Sequence, residues 1–171
     1  MSRKPNSMYR EIKGKAYTRR EYMGGVPASR ITQFEHGTKA DYPVRLTLNV
    51  VEQCQIRHIA LEAARISANR FLSKTIGQSG YHLKIKGDPH QVLRENKIAT
   101  GAGADRISQG MRNAFGKAIG TAARVTRDQE IIALETTRNH FNTAKLALKR
   151  AAIKLPSPCY IAVERGSAPA K

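Results

Sequence analysis

The 171-residue chain is short of acid. Thirteen Asp and Glu stand against 30 Lys and Arg, a formal net charge of +17, where a small domain ordinarily carries a magnitude of about 2–8. Self-repulsion on that scale disfavours a lone compact chain, so the composition asks for a polyanionic partner. Nucleic acid answers best, because each neutralised phosphate releases counterions; an anionic membrane is the weaker candidate. Cysteine is almost absent as well. Cys54 and Cys159 make neither a CxxC pair nor a disulfide framework, and they read as reduced, buried thiols of a cytoplasmic protein. No run approaches the ~20 apolar residues of a spanning helix. The N-terminus, MSRKPNSMYREIKGK, has no apolar segment of the signal-peptide kind. Histidines 36, 58, 82, 90 and 140 show no zinc spacing, so neither metal nor cofactor is expected. The carboxylates are too scattered for acid–base work, and Ser108 has no neighbouring histidine. Cys54 with His58, four residues on, reads as a buried thiol beside a surface imidazole. No enzyme is expected.

Against these shortages the chain is 40% hydrophobic. That is enough for one domain, which at this length removes roughly 70% of its unfolded surface from water. Residues 1–45 have no helical period. They form an extended basic arm in which Tyr9, Tyr17 and Tyr22 alternate with cations, and tyrosines can stack on unpaired bases while Arg and Lys meet phosphates. A solvated, partly disordered arm is the plainer alternative. Residues 44–165 form a single RNA-binding domain. Val44, Leu46, Leu48 and Val50 alternate with polar residues as a strand, although Asn49 with Glu52 could also cap a helix. Residues 56–76 carry an apolar stripe at helical spacing, Ala60, Ala64, Ala68, Phe71 and Leu72. In YHLKIK, 81–86, His82, Lys84 and Lys86 point away from Tyr81, Leu83 and Ile85, giving a basic outer face. Residues 87–89 turn the chain so that 90–95 can pair back. Strands are predicted at 120–125 and 130–134. A second helix, capped by Thr136 or Thr137, runs to about Ala152, and a last strand covers 159–163. The pattern is α+β: a mostly antiparallel sheet with two main helices over one face, and no regular βαβ alternation.

Residues 97–120, KIATGAGADRISQGMRNAFGKAIG, hold five glycines and four cations against one acid. GAGADR does not complete GxGxxG, and no G-K-[ST] follows, so a nucleotide site is poorly supported. A plain surface loop of this length would be unusual in a compact domain. The remaining reading is an extension into RNA. Its glycines let backbone approach phosphate and sugar, Arg106 and Arg112 fork onto phosphate oxygens, and Met111 and Phe115 offer faces to bases. The loop, 97–117, contributes Gly101, Ala102, Gly103, Ala104, Asp105, Arg106, Gly110, Met111, Arg112, Phe115, Gly116 and Lys117. Cations expected on RNA elsewhere are Arg3, Lys4, Arg10, Lys13, Lys15, Arg19, Arg20, Arg30, Lys84, Lys86 and Arg124.

The string ADRISQGMRNAFGKAIGTAARV, 104–125, closely resembles the signature of the ribosomal protein L10e family, the archaeal and eukaryotic counterpart of bacterial L16. GGVPASRI, 24–31, and ALEAARISANRF, 60–71, resemble two further blocks of that family in the right order. The likeness spans roughly Arg3 to Val163 and is nearest the archaeal form. One departure is Ala118, where many relatives carry proline. The resemblance implies an α/β-hammerhead-type domain in the large ribosomal subunit of the cytoplasm. It implies one copy per subunit, packed against ribosomal RNA and neighbouring ribosomal proteins along the path of aminoacyl-site tRNA. The glycine-rich loop would point toward the peptidyl-transferase region, where RNA does the chemistry. A free RNA-binding assembly factor would use the same charges and the same loop.

Overall fold

The computed structural model describes residues 4–112 and 114–166; Arg3, expected on RNA, lies outside them. The fold is α+β with two antiparallel sheets. The larger contains β1 (Glu35–Gly37), β2 (Val44–Val50), β4 (Tyr81–Ile85), β7 (Glu130–Thr136) and β8 (Cys159–Arg165), in the order β1-β4-β7-β2-β8. The smaller contains β3 (Cys54–Arg57), β5 (Gln91–Glu95) and β6 (Lys117–Val125), in the order β3-β6-β5. The helices are α1 (His58–Thr75), the single turn α2 (Ala104–Ile107) and α3 (Phe141–Ala152).

The alternating apolar residues fix the larger sheet. Leu46 and Leu48 of β2 stand opposite Leu134 and Ile132 of β7, and Leu83 of β4 meets Leu134 from the other side. All are at most 1% exposed, because α1 and α3 pack on this face and on each other. Both helices present alanines inward, Ala60, Ala64 and Ala68 from α1 and Ala144, Ala147 and Ala151 from α3. These small side chains let the helices lie close together, and Leu61, Leu72 and Leu148 fill the remaining space.

The structure departs from the sequence reading in several places. The expected single sheet is two. Residues 90–95 do not pair back on 81–86, because both edges of β4 are already taken by β1 and β7; β5 pairs with β6 instead. The strands predicted at 120–125 and 130–134 form but do not pair with each other: the turn at 126–129 carries the chain from the small sheet to the large one. The first helix begins at His58 rather than 56, since Cys54–Arg57 are held as a strand against Ala122–Val125, and tertiary pairing overrides local helical pattern. Thr136 caps nothing. It is the last residue of β7, and its buried hydroxyl donates to the Gly80 carbonyl at 3.0 Å. Thr137 precedes a short 3-10 turn, Arg138–His140, without a side-chain cap. The strand read from the alternation at 44–50 forms as Val44–Val50, and the alternative helix cap at Asn49 and Glu52 does not. Cys54 is buried and free, and Cys159 is half-buried and free. Burial raises both thiols, Cys159 to about 11, so both are protonated at neutral pH. His58 is no surface imidazole: it is 4% exposed, and its Nδ1 accepts the Arg30 amide at 2.7 Å.

The alanine faces make a direct prediction. Ala64→Leu inserts three carbons where no exposed surface remains and should cost about 1–3 kcal/mol. Chemical denaturation would show it as a lower midpoint at unchanged m-value; an unchanged midpoint would mean that the helices have room to separate.

Candidate nucleic-acid interface

The small sheet is the platform on which the arm and the glycine-rich loop meet. The arm is fastened to it by backbone and side chain. The Gln55 amide donates to Arg10 O at 2.9 Å, and the Val92 amide to Tyr17 O at 2.9 Å. Gln55 Nε2 reaches Glu11 O at 2.9 Å, and Arg57 Nη1 donates to Lys4 O at 3.2 Å. Tyr9 lies under the Arg57 guanidinium, 4.6 Å from its ring centroid, and its hydroxyl donates to Glu95 at 3.1 Å. Lys4 Nζ sits 2.5 Å from the same carboxylate. That bond to Lys4 is the main reason the Glu95 carboxyl falls below its usual range and the Lys4 ammonium rises above its own.

The loop attaches to the same platform. The Arg94 guanidinium is sandwiched between the Tyr17 ring of the arm, at 3.9 Å, and the Phe115 ring of the loop, at 3.6 Å; its Nη1 also donates to Phe115 O at 2.9 Å. Asn96 Nδ2 donates to Gly110 O at 3.1 Å, and Ser108 Oγ accepts the Ala99 amide at 3.1 Å, so Ser108 braces the loop. At Gly116, with φ +72°, a Cβ would stand 2.6–2.7 Å from the Glu95–Asn96 backbone. Only glycine lets the returning chain pass there. At Gly120 a Cβ would stand 2.8 Å from His58 Nε2, which places small-sheet backbone directly against that buried ring.

The predicted site residues fall into two groups. Lys15, Arg19, Arg20 and Arg30 on the arm, with Arg106, Arg112 and Lys117 on the loop, are exposed. Among the described residues none of these seven meets a carboxylate. Met111 and Phe115 are 70% and 53% exposed. Gly101, Ala102 and Gly103 form the exposed turn before α2, and Ala104 and Asp105 begin it.

The other group is engaged within the protein. Lys4 pairs with Glu95, Arg10 with Glu52 and Lys13 with Glu11, while Arg124 donates to Gly14 O at 2.7 Å. Lys84 is 2.6 Å from Glu35, and Lys86 pairs with Glu130. His82, predicted on the outer face, is 8% exposed and 3.3 Å from Glu135. Arg45 adds contacts to Glu130 and Glu164. The outer face of the large sheet is therefore a lattice of paired charges rather than a bare basic surface. Of the three arm tyrosines, Tyr9 and Tyr17 stack on arginines of the protein itself, and Tyr22 remains 67% exposed.

Sequence reading missed Arg57, Arg94 and Glu95. Arg94 and Glu95 ended a predicted strand, but nothing local marks them as the meeting point of segments about 20 and 80 residues away. Among the described residues no group of His, Cys, Asp or Glu is placed to hold a metal ion, and no helix is long and apolar enough to cross a membrane.

Arg94→Lys keeps the charge but loses the flat fork that fits between two rings. It should speed amide hydrogen exchange at both 14–18 and 110–117 while leaving α1 and α3 protected; unchanged exchange in either segment would separate arm from loop. The Lys4–Glu95 attachment should be pH-dependent. A depressed carboxyl stabilises the bound arm above its ordinary pKa of about 4.3 and loses that contribution as pH falls through the lower folded value. The raised Lys4 extends the attachment past the ordinary lysine range at the alkaline end. NMR of residues 4–11 should report arm release below about pH 4, abolished as a separate transition in Glu95→Gln.

A family model described as ribosomal protein L16p/L10e matches residues 12–162. The chain is 59% identical over 169 residues to the large ribosomal subunit protein uL16 of Methanoculleus marisnigri, covering 98% of this chain and 99% of that one. It is 56% identical to the protein of the same name from Methanocella arvoryzae, covering 98% of each chain. With that of Thermoplasma volcanium the identity is 52%, covering 97% of this chain and 95% of the other. The sequence block at 104–125, the net charge and these near full-length matches agree: the chain belongs to the ribosomal protein L16p/L10e family, in its archaeal form.

Proposed function

We propose that the protein is a structural constituent of the large subunit of the cytoplasmic ribosome. In this reading it binds ribosomal RNA through its arm and helps to shape the corridor of aminoacyl-site tRNA with its loop. It is a binding component of translation and not an enzyme. The observation that carries the reading is the pairing of near full-length family membership with a loop whose cations are all exposed and, among the described residues, meet no carboxylate, on a chain of net charge +17. The arm's Lys15, Arg19, Arg20 and Arg30 meet RNA phosphates together with Arg3. Lys4, Arg10, Lys13, Lys84, Lys86 and Arg124 add less, because each already has an internal partner. Arg106 and Arg112 at the loop are the contacts nearest tRNA, and the apolar faces of Met111 and Phe115 lie beside them for base or ribose. The protein acts as a monomer, one copy per subunit, among ribosomal-protein neighbours.

The loop's unpaired arginines separate two stages of function. Arg106→Ala with Arg112→Ala should enter large subunits at normal stoichiometry yet slow aminoacyl-tRNA accommodation or lower its fidelity in single-turnover assays. Normal rate and fidelity would remove the loop from the tRNA path. Washing purified large subunits at moderate salt distinguishes a resident from a transient factor: a resident stays near one copy, and an assembly factor is lost from mature particles.

A further inference from the structure

The α1–α3 pair carries a second cationic surface, distinct from the arm and loop. Residues 63–87 and 136–163 contain no Asp or Glu. The nearest acid on α1, Glu62, is already held by Arg65 at 2.6 Å. Arg70 and Lys74 from α1 and Arg150 and Lys154 from the α3 end line one groove of about 620 Å³. All four are exposed, and among the described residues none makes an ion pair. The groove has an apolar floor. The Arg150 guanidinium lies 4.0 Å above the Phe71 ring, and Ile66 beside it is 48% exposed. Cations at helix C-termini gain from the dipole, but each gains only about 0.3–1 kcal/mol at the surface. That does not account for four converging from two helices with no counter-charge between them. Lys145 and Lys149 add to the same acid-free helix.

We propose that this groove holds a strand of RNA backbone. Phosphates would meet the cations on the two walls, and ribose faces would lie over Ile66 and Phe71. Charge complementarity selects this occupant: four unpaired cations want a polyanion, and Arg150, with one face on Phe71, keeps its donor edge free for phosphate oxygens. The proposal rests on the reading that the protein works in RNA.

Directed hydroxyl-radical cleavage tests it with the full chain bound to full-length large-subunit RNA. An iron chelate is tethered at Ile66→Cys or, separately, at Met111→Cys; Cys54 is buried and the Cys159 thiol protonated, so background labelling is low. The expected result is cleavage from position 66 of an RNA segment different from the one cut from position 111. Cleavage from 111 alone overturns the groove and leaves the proposed function standing; cleavage from neither overturns the RNA reading itself. Contact of position 66 with an acidic protein segment in the assembled particle would overturn the RNA occupant. As a second measure, Arg70→Gln, Lys74→Gln, Arg150→Gln and Lys154→Gln together should flatten the salt dependence of RNA binding by about 0.7–0.9 for each phosphate no longer neutralised, the lower value for a single strand and the higher for a duplex. The exposed pair Lys74→Gln and Lys154→Gln leaves the Phe71 stacking intact, and should flatten it by about half as much. An unchanged slope in both variants overturns the proposal.

Discussion

The scarcity of carboxylates governs where positive charge is left over. Four of the thirteen, Glu35, Glu130, Glu135 and Glu164, lie on the outer face of the large sheet, where they neutralise Arg45, Lys84 and Lys86 and approach His82. Glu11, Glu52 and Glu95 lie along the arm and its seat. Asp105 alone serves the loop, and the groove between the two helices is lined by none. Exposed ion pairs of this kind contribute little to stability. Their effect is one of address: they make one face electrically quiet and leave the arm, the loop and the helix groove as the places where a polyanion gains most.

Arg94 gives that distribution its geometry. Tyr17 on one side and Phe115 on the other hold the guanidinium by cation–π attraction, about 0.5–1 kcal/mol for each ring at an exposed site, and the Phe115 carbonyl fixes its rotation. Arm and loop are thereby referred to one residue of β5. Glu95, next in sequence, ties the start of the arm through Lys4 and Tyr9. Two adjacent residues with opposite charges thus seat both extensions on the small sheet, while the large sheet and its helices supply the packed core.

Much of the core was legible from sequence, and the reason is local. The alternation in 44–50 and 81–85 and the alanine stripe in 60–72 report burial directly, since side-chain direction follows the backbone period. The glycine-rich loop was legible from its composition. What stayed hidden depends on partners distant in the chain. The split into two sheets follows from the occupied edges of β4, which no pattern in 90–95 encodes. The neutral outer face follows from Glu35, Glu130 and Glu135 meeting Lys84, Lys86 and His82 across strands. The short strand Glu35–Gly37 carries no apolar signal at all. Arm tyrosines that looked free for bases proved partly committed to Arg57 and Arg94, because a ring beside cations attracts its own protein's arginines as readily as it attracts nucleotides.

The close passage of Gly116 against the Glu95–Asn96 backbone has a further consequence. The two feet of the glycine-rich segment stand side by side on neighbouring strands, with Glu95 opposite Lys117. Closure entropy grows only slowly with the number of residues between such feet. The segment can therefore be shortened, lengthened or exchanged with little disturbance to the scaffold beneath it, so that how far its tip extends is an independent variable on which selection can act while the domain stays the same.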